Sequence, residues 1–137
     1  MKYLSTIGRI LFALPFGIMG LNHFLMTSYY VGMMSTFIPG GGYTIIITGL
    51  ALIAACISII AKRYIQLSCL LLALLLFLFI LTIHIPGLFD TTEVTILTMH
   101  TKFSTLAFIE LMKDASLMGG ALMIAGIYRN QKAVVKS

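Results

Sequence analysis

The sequence predicts an all-α fold: an integral membrane four-helix bundle with both termini cytoplasmic. Three observations carry that prediction. First, of 137 residues 60% are hydrophobic and only 9% are charged, where a soluble domain carries about 25%. So few polar groups cannot cover the surface of a soluble fold. Second, no Asp, Glu, Lys or Arg falls between Arg9 and Lys62, and that interval holds two stretches near the roughly 20 residues a bilayer span requires. Third, with the N-terminus inside, Lys2, Arg9, Lys62, Arg63, Arg129, Lys132 and Lys136 lie on the inner side and only Lys102 and Lys113 on the outer, a positive-inside bias. All four acidic residues then fall outside. The composition excludes an ordinary soluble enzyme and a disordered tail. The pI is about 9.4, but the basic residues are scattered rather than gathered into a patch, so nucleic acid is not an expected partner.

One domain, 1–137, follows from the length. The spans are expected at about 6–26, 43–61, 64–85 and 105–128. The first is too long in its apolar run, and lacks a following cleavage site, for a cleaved signal peptide. Between the first two spans, 27–42 contains Pro39 and Gly40-Gly41-Gly42, which is turn chemistry. Lys62-Arg63 is a tight charged turn. The third span contains LLLALLLFLFIL and ends at Pro86-Gly87. The Thr-rich stretch 88–102 is expected to be a surface loop with a short amphipathic piece. The charge-free part of the fourth span is only fourteen residues, about 21 Å of helix. A crossing helix must therefore start near Phe103 to Ala107 and carry Glu110, Lys113 and Asp114.

Counting from the inner charges places the polar residues in one layer. His23 lies 14 residues after Arg9, and Thr48 14 before Lys62, each about 21 Å along its helix. Asp114 is 15 before Arg129, about 22 Å. Glu110 and His84 sit higher. Glu110 and Asp114 share a helix face, and Ala121 and Ala125 continue the Asp114 face as small residues that permit close helix approach. Ionisable side chains in a span are costly and commonly functional. Lys113 and Asp114 are accordingly expected to face the bundle interior near His23, while Glu110 and His84 are expected to sit in the headgroup layer, where the carboxylates and Lys113 pair with each other. Arg9, one turn inside its span, is expected to snorkel to the inner headgroups.

Several chemistries find no motif. There is no CxxC for thiol relay. Cys56 and Cys69 lie at similar depth on either side of Lys62-Arg63 and read as inert packing residues. No HExxH or Cys/His cluster marks a metal; His23, His84 and Asp114 make only a weak ligand set, because three helices would have to agree in rotation. The nine Met and nine Phe residues read as filler.

In order along the chain, four segments resemble the DoxX family of small membrane proteins. They are RILFALPFGIMGLNHF, with Gly20 and Asn22-His23-Phe24; FIPGGGYTIIITGLALIAACISI, a proline-glycine loop followed by Thr48-Gly49; HIPG, His84 to Gly87; and LMKDASLMGGALMIAG, a Lys-Asp-x-x-Leu-x-Gly-Gly opening of the fourth span. The resemblance implies a four-helix membrane bundle with cytoplasmic termini in a redox setting. Some members act as the small membrane subunit of a thiosulfate:quinone oxidoreductase, and others associate with oxidative-stress enzymes. One departure is Leu52, where many relatives carry an acidic residue, so a carboxylate on the second span is unavailable here. The expected ligand-binding residues are Asn22, His23, His84, Lys113 and Asp114. The implied function is an accessory subunit of a quinone-linked or oxidative-stress system in the inner (cytoplasmic) membrane. A quinone is the cofactor implied, and a soluble or membrane oxidoreductase subunit the partner, because the chain encodes no electron carrier. No self-contained catalytic motif is present. Lys113 would donate to a carbonyl oxygen, and His23 or His84 would exchange protons with Asp114. The alternative is a non-catalytic membrane scaffold or assembly protein; the third reading is a small-molecule transporter built as a homo-oligomer.

Overall fold

The computed structural model describes residues 2–33, 38–96 and 99–134. Nearly all of it is helical: α1 (Lys2–Leu25), α2 (Thr27–Met33), α3 (Gly42–Ile60), α4 (Ile65–Phe79), a π-helical turn (Ile80–His84), α5 (Ile85–Gly87) and α6 (Phe103–Val134). Among the described residues, three helices are long and apolar enough to cross a membrane: Tyr3–Leu25, Gly42–Ile60 and Ile65–Gly87. Their outward faces carry large exposed apolar side chains such as Leu11, Ile47, Leu71 and Leu74. A helix apolar on all sides suits lipid outside and protein inside.

The core is built from small and medium residues: Ala13, Phe16, Leu52, Ile59, Cys69, Leu72 and Ala121 are buried together. α1 packs on α3, and α4 on α6. The α1–α3 crossing depends on two glycines. A Cβ on Gly20 would lie 2.7 Å from the Gly49 carbonyl oxygen, and one on Gly49 would lie 2.9 Å from His23 Cβ. Removing both side chains lets the backbones touch and brings His23 against α3. Cys56 and Cys69 are both buried and free, as their packing role requires.

Three segments depart from expectation. The stretch 27–42 is not wholly a turn, because it contains α2. Thr27 Oγ1 donates to the His23 carbonyl at 2.8 Å, and the Met26 amide reaches the Asn22 carbonyl at 2.8 Å, so the chain re-enters helix at once. The turn chemistry falls at its end, where Gly40 and Gly41 have φ of 96° and 50° and Thr44 Oγ1 donates to the Pro39 carbonyl at 2.6 Å. Residues 34–37 lie outside the described set. Within 88–102, the chain forms an antiparallel hairpin, β1 (Glu93–Ile96) with β2 (Met99–Lys102), pairing Glu93 with Lys102 and Thr95 with His100. Alternating β-branched Val94, Thr95 and Ile96 favour strand over helix.

Arg9 is the third departure. Rather than extending outward, it is 6% exposed, and its Nη1 donates to the carbonyl of Ile59 and to that of Ile60 at 2.8 Å. The last carbonyls of a helix have no partner within it, and a cation is favoured at that end. A guanidinium from the neighbouring helix supplies both needs. The α3–α4 turn that follows is closed by Ser58, whose hydroxyl donates to the Arg63 carbonyl and lies 2.6 Å from Ser68 Oγ.

Candidate functional site

At the end of the bundle away from the Lys62-Arg63 turn, α1, α2, α3, α4 and α6 enclose a cavity of about 490 Å³. Met19, Ile45, Leu75, Phe79 and Leu106 form apolar walls, and His23, Tyr30, His84, Glu110, Lys113 and Asp114 supply the polar groups. An apolar cleft with a few convergent polar groups in this size range is the usual form of a small-molecule site.

His84 reaches the cavity through the π-helical turn. The last residues of α4 would place position 84 by ordinary helical counting, but the wider turn at Ile80–His84 shifts it, and such bulges recur at functional sites. His84 is 9% exposed and Asp114 4%. Their Nε2 and Oδ2 atoms are 2.9 Å apart. Asp114 stands on a face of α6 continued by buried Ala121 and Ala125, as the small-residue spacing predicts. Lys113, half-buried beside it, bonds the Glu110 carboxylate and lies 3.6 Å from Asp114 Oδ1. The carboxylates thus pair with Lys113 as expected, while Glu110 and His84 both line the cavity. His84 belongs to Asp114, and Glu110 to Lys113.

His23 holds its ring by Nδ1, 2.7 Å from the Met19 carbonyl. A carbonyl only accepts, so Nδ1 carries the proton. The ring stacks on Tyr30, with centroids 4.3 Å apart and planes at 18°. Burial raises the Tyr30 phenol above its ordinary range, with the neighbouring Tyr29 adding to it, so Tyr30 stays a neutral hydroxyl at neutral pH.

Of the five expected residues, His23, His84, Lys113 and Asp114 line the cavity. The structure does not bring Asn22 to its wall. Tyr30 was not among the expected residues; its spacing of seven from His23 is a same-face helical signal, hidden because 27–42 reads as turn. No metal site was expected, and the weak set of His23, His84 and Asp114 is not the one that converges. His84 Nε2 and one oxygen each from Glu110 and Asp114 lie within 4.8 Å of one another, with Glu110 in the place expected for His23.

The fold and site define a class: a helical protein with membrane-spanning segments and a largely apolar, polar-tipped cavity between them. No protein-family model, curated protein or solved structure matches the chain.

Proposed function

We propose that this protein is a DoxX-like accessory subunit of an inner-membrane redox system and that it binds a quinone in the cavity. The single observation that carries this reading is the cavity itself: apolar walls for a ring and its tail, with Lys113, His84 and Tyr30 at one end. Lys113 Nζ donates to one quinone carbonyl oxygen. The His84–Asp114 pair relays from solvent, one after the other, the two protons that accompany two-electron reduction to the quinol. Electrons come from a partner oxidoreductase. In this reading α6 is the fourth span and both termini are cytoplasmic, in keeping with the seven-to-two distribution of Lys and Arg.

The test is equilibrium binding of a short-chain ubiquinone analogue and of menadione to the purified protein in detergent micelles. Saturable binding of one molecule per chain is expected. Lys113→Met should weaken it about tenfold, the equivalent of one hydrogen bond of about 1.4 kcal/mol, while lipid-facing Leu71→Ala leaves it unchanged. Equal, non-saturating partitioning into all three proteins would remove the quinone reading.

A further inference from the structure

Two helices bring three metal-type donors to one point on the cavity wall. His84 Nε2, a Glu110 carboxylate oxygen and an Asp114 carboxylate oxygen lie within 4.8 Å of one another. We propose that these side chains form a binding site for a divalent transition-metal ion, with its remaining coordination positions open to the cavity. The inference stands apart from the quinone reading, since it uses only the donor geometry.

The distances are close to those a bound ion imposes. Nitrogen and carboxylate oxygen bind such ions at about 2.0–2.2 Å, so two ligands on one ion are at most about 4.4 Å apart. Closing 4.8 Å to that limit requires a small rotation of the half-buried Glu110. His84 and Asp114 are buried and already 2.9 Å apart, about the spacing of adjacent ligands on one ion, so the ring has only to turn its Nε2 from that oxygen toward the ion. Glu110 and Asp114 stand four apart on α6, on one face.

A cation already bridges the two carboxylates of the cluster. Lys113 bonds Glu110 and approaches Asp114 Oδ1 to 3.6 Å. Its side chain is 36% exposed, so the ammonium can swing out and leave both carboxylates to an ion. The charge balance favours that exchange. With a neutral His84 ring, one Lys against two carboxylates leaves one negative charge in excess, in surroundings where uncompensated charge is costly. A divalent ion in place of the ammonium neutralises both carboxylates. On metal binding the neutral His84 ring takes its Nδ1–H tautomer, which leaves the Nε2 lone pair to coordinate, with no net proton released.

The donor set points to the type of metal. One imidazole and two carboxylates without sulfur suit Mn²⁺, Fe²⁺, Co²⁺ or Zn²⁺; an all-oxygen cage would suit Ca²⁺ or Mg²⁺, and thiolates would suit Cu⁺.

The experiment uses the full, tag-free chain in detergent micelles, stripped with chelator, with no quinone added. Co²⁺ is titrated in and followed by its visible absorption and by equilibrium dialysis, with helical circular dichroism as the fold control. One Co²⁺ per chain is expected. His84→Ala and Glu110→Gln should each weaken uptake at least tenfold. Lys113→Met, which removes the competing ammonium, should tighten it several-fold, an outcome that a merely electrostatic role of the lysine elsewhere does not produce. If His84→Ala loses helicity, Glu110→Gln decides, because Glu110 is half-exposed and its amide is nearly the same size. No stoichiometric uptake by wild type or Lys113→Met overturns the proposal. So does uptake that Glu110→Gln leaves unchanged, since the ion is then bound elsewhere.

Discussion

His84 and Asp114, thirty residues apart in the chain, meet at 2.9 Å in the buried wall of the cavity. The contact ties the π-helical turn after α4 to the middle of α6, and it accounts for a carboxylate that is only 4% exposed. Among the described residues no buried side-chain nitrogen or oxygen lacks a partner, and removing Asp114 takes from His84 Nε2 the partner it has here.

Asp114→Ala should therefore lower stability by about 2 kcal/mol, the range for a hydrogen bond to a charged group. Asp114→Asn, whose amide oxygen still accepts from Nε2, should lose less. Thermal unfolding in micelles distinguishes them; an alanine variant as stable as wild type would mean the pair contributes nothing. Asp114 also sits beside Lys113, so a Lys113 variant is better paired with Glu110→Gln than with an Asp114 substitution, which would orphan His84 as well.

Gly49 and Gly119 should respond oppositely to alanine. A Cβ at Gly49 meets His23 Cβ at 2.9 Å and the Gly20 carbonyl at 3.0 Å, whereas one at Gly119 meets nothing within 4 Å. Gly49→Ala should cost about 1–3 kcal/mol through overpacking and displace His23. Gly119→Ala should be neutral or stabilise by up to about 1 kcal/mol, because glycine is the weaker helix former. The same unfolding assay reads both, and equal effects would count against a close α1–α3 crossing.

Arg9→Met should cost about 1.5–3 kcal/mol, because two carbonyls at the end of α3 lose a charged donor. Arg9→Lys should recover only part of this, since a single ammonium replaces a planar fork with several donors. A headgroup-snorkelling arginine would instead tolerate both changes, and that result would contradict its burial.

Topology is open to labelling. A thiol reagent that cannot cross the membrane should modify Thr92→Cys in intact cells and spare Gln131→Cys until the membrane is broken. The opposite pattern would reverse the orientation drawn from the Lys and Arg distribution.

Asp90 supplies a pH test outside the spanning helices. Bonds from the hydroxyl and amide of Thr92 hold its carboxyl below the ordinary carboxylate range. The sign follows: a lowered folded value means the turn gains stability above the unfolded value, about 3.9, and loses it as pH falls through the folded one. An NMR titration of Asp90 should have its midpoint below about 3.9, and Thr92→Val should move it back up. A wild-type midpoint at or above that value would mean the turn does not form.

What the sequence by itself determined is what local composition encodes. Helices able to cross a membrane follow from charge-free apolar runs, because the cost of placing charge in hydrocarbon acts residue by residue. The buried face of Asp114, Ala121 and Ala125 was legible from helical spacing, and the Pro39–Gly41 turn from backbone freedom. The tertiary structure alone decided the partners. Helices such as α3 and α4 are apolar all round, so their sequences do not say which face turns inward, and the rotations are set by close contacts such as Gly20 against Gly49. The π-helical turn adds an offset that counting by 3.6 residues cannot see, and it moves His84 from an expected headgroup position to Asp114. Arg9 changed roles for the same reason. A polar side chain in an apolar layer takes whichever partner packing brings within reach, and that partner lies on another helix.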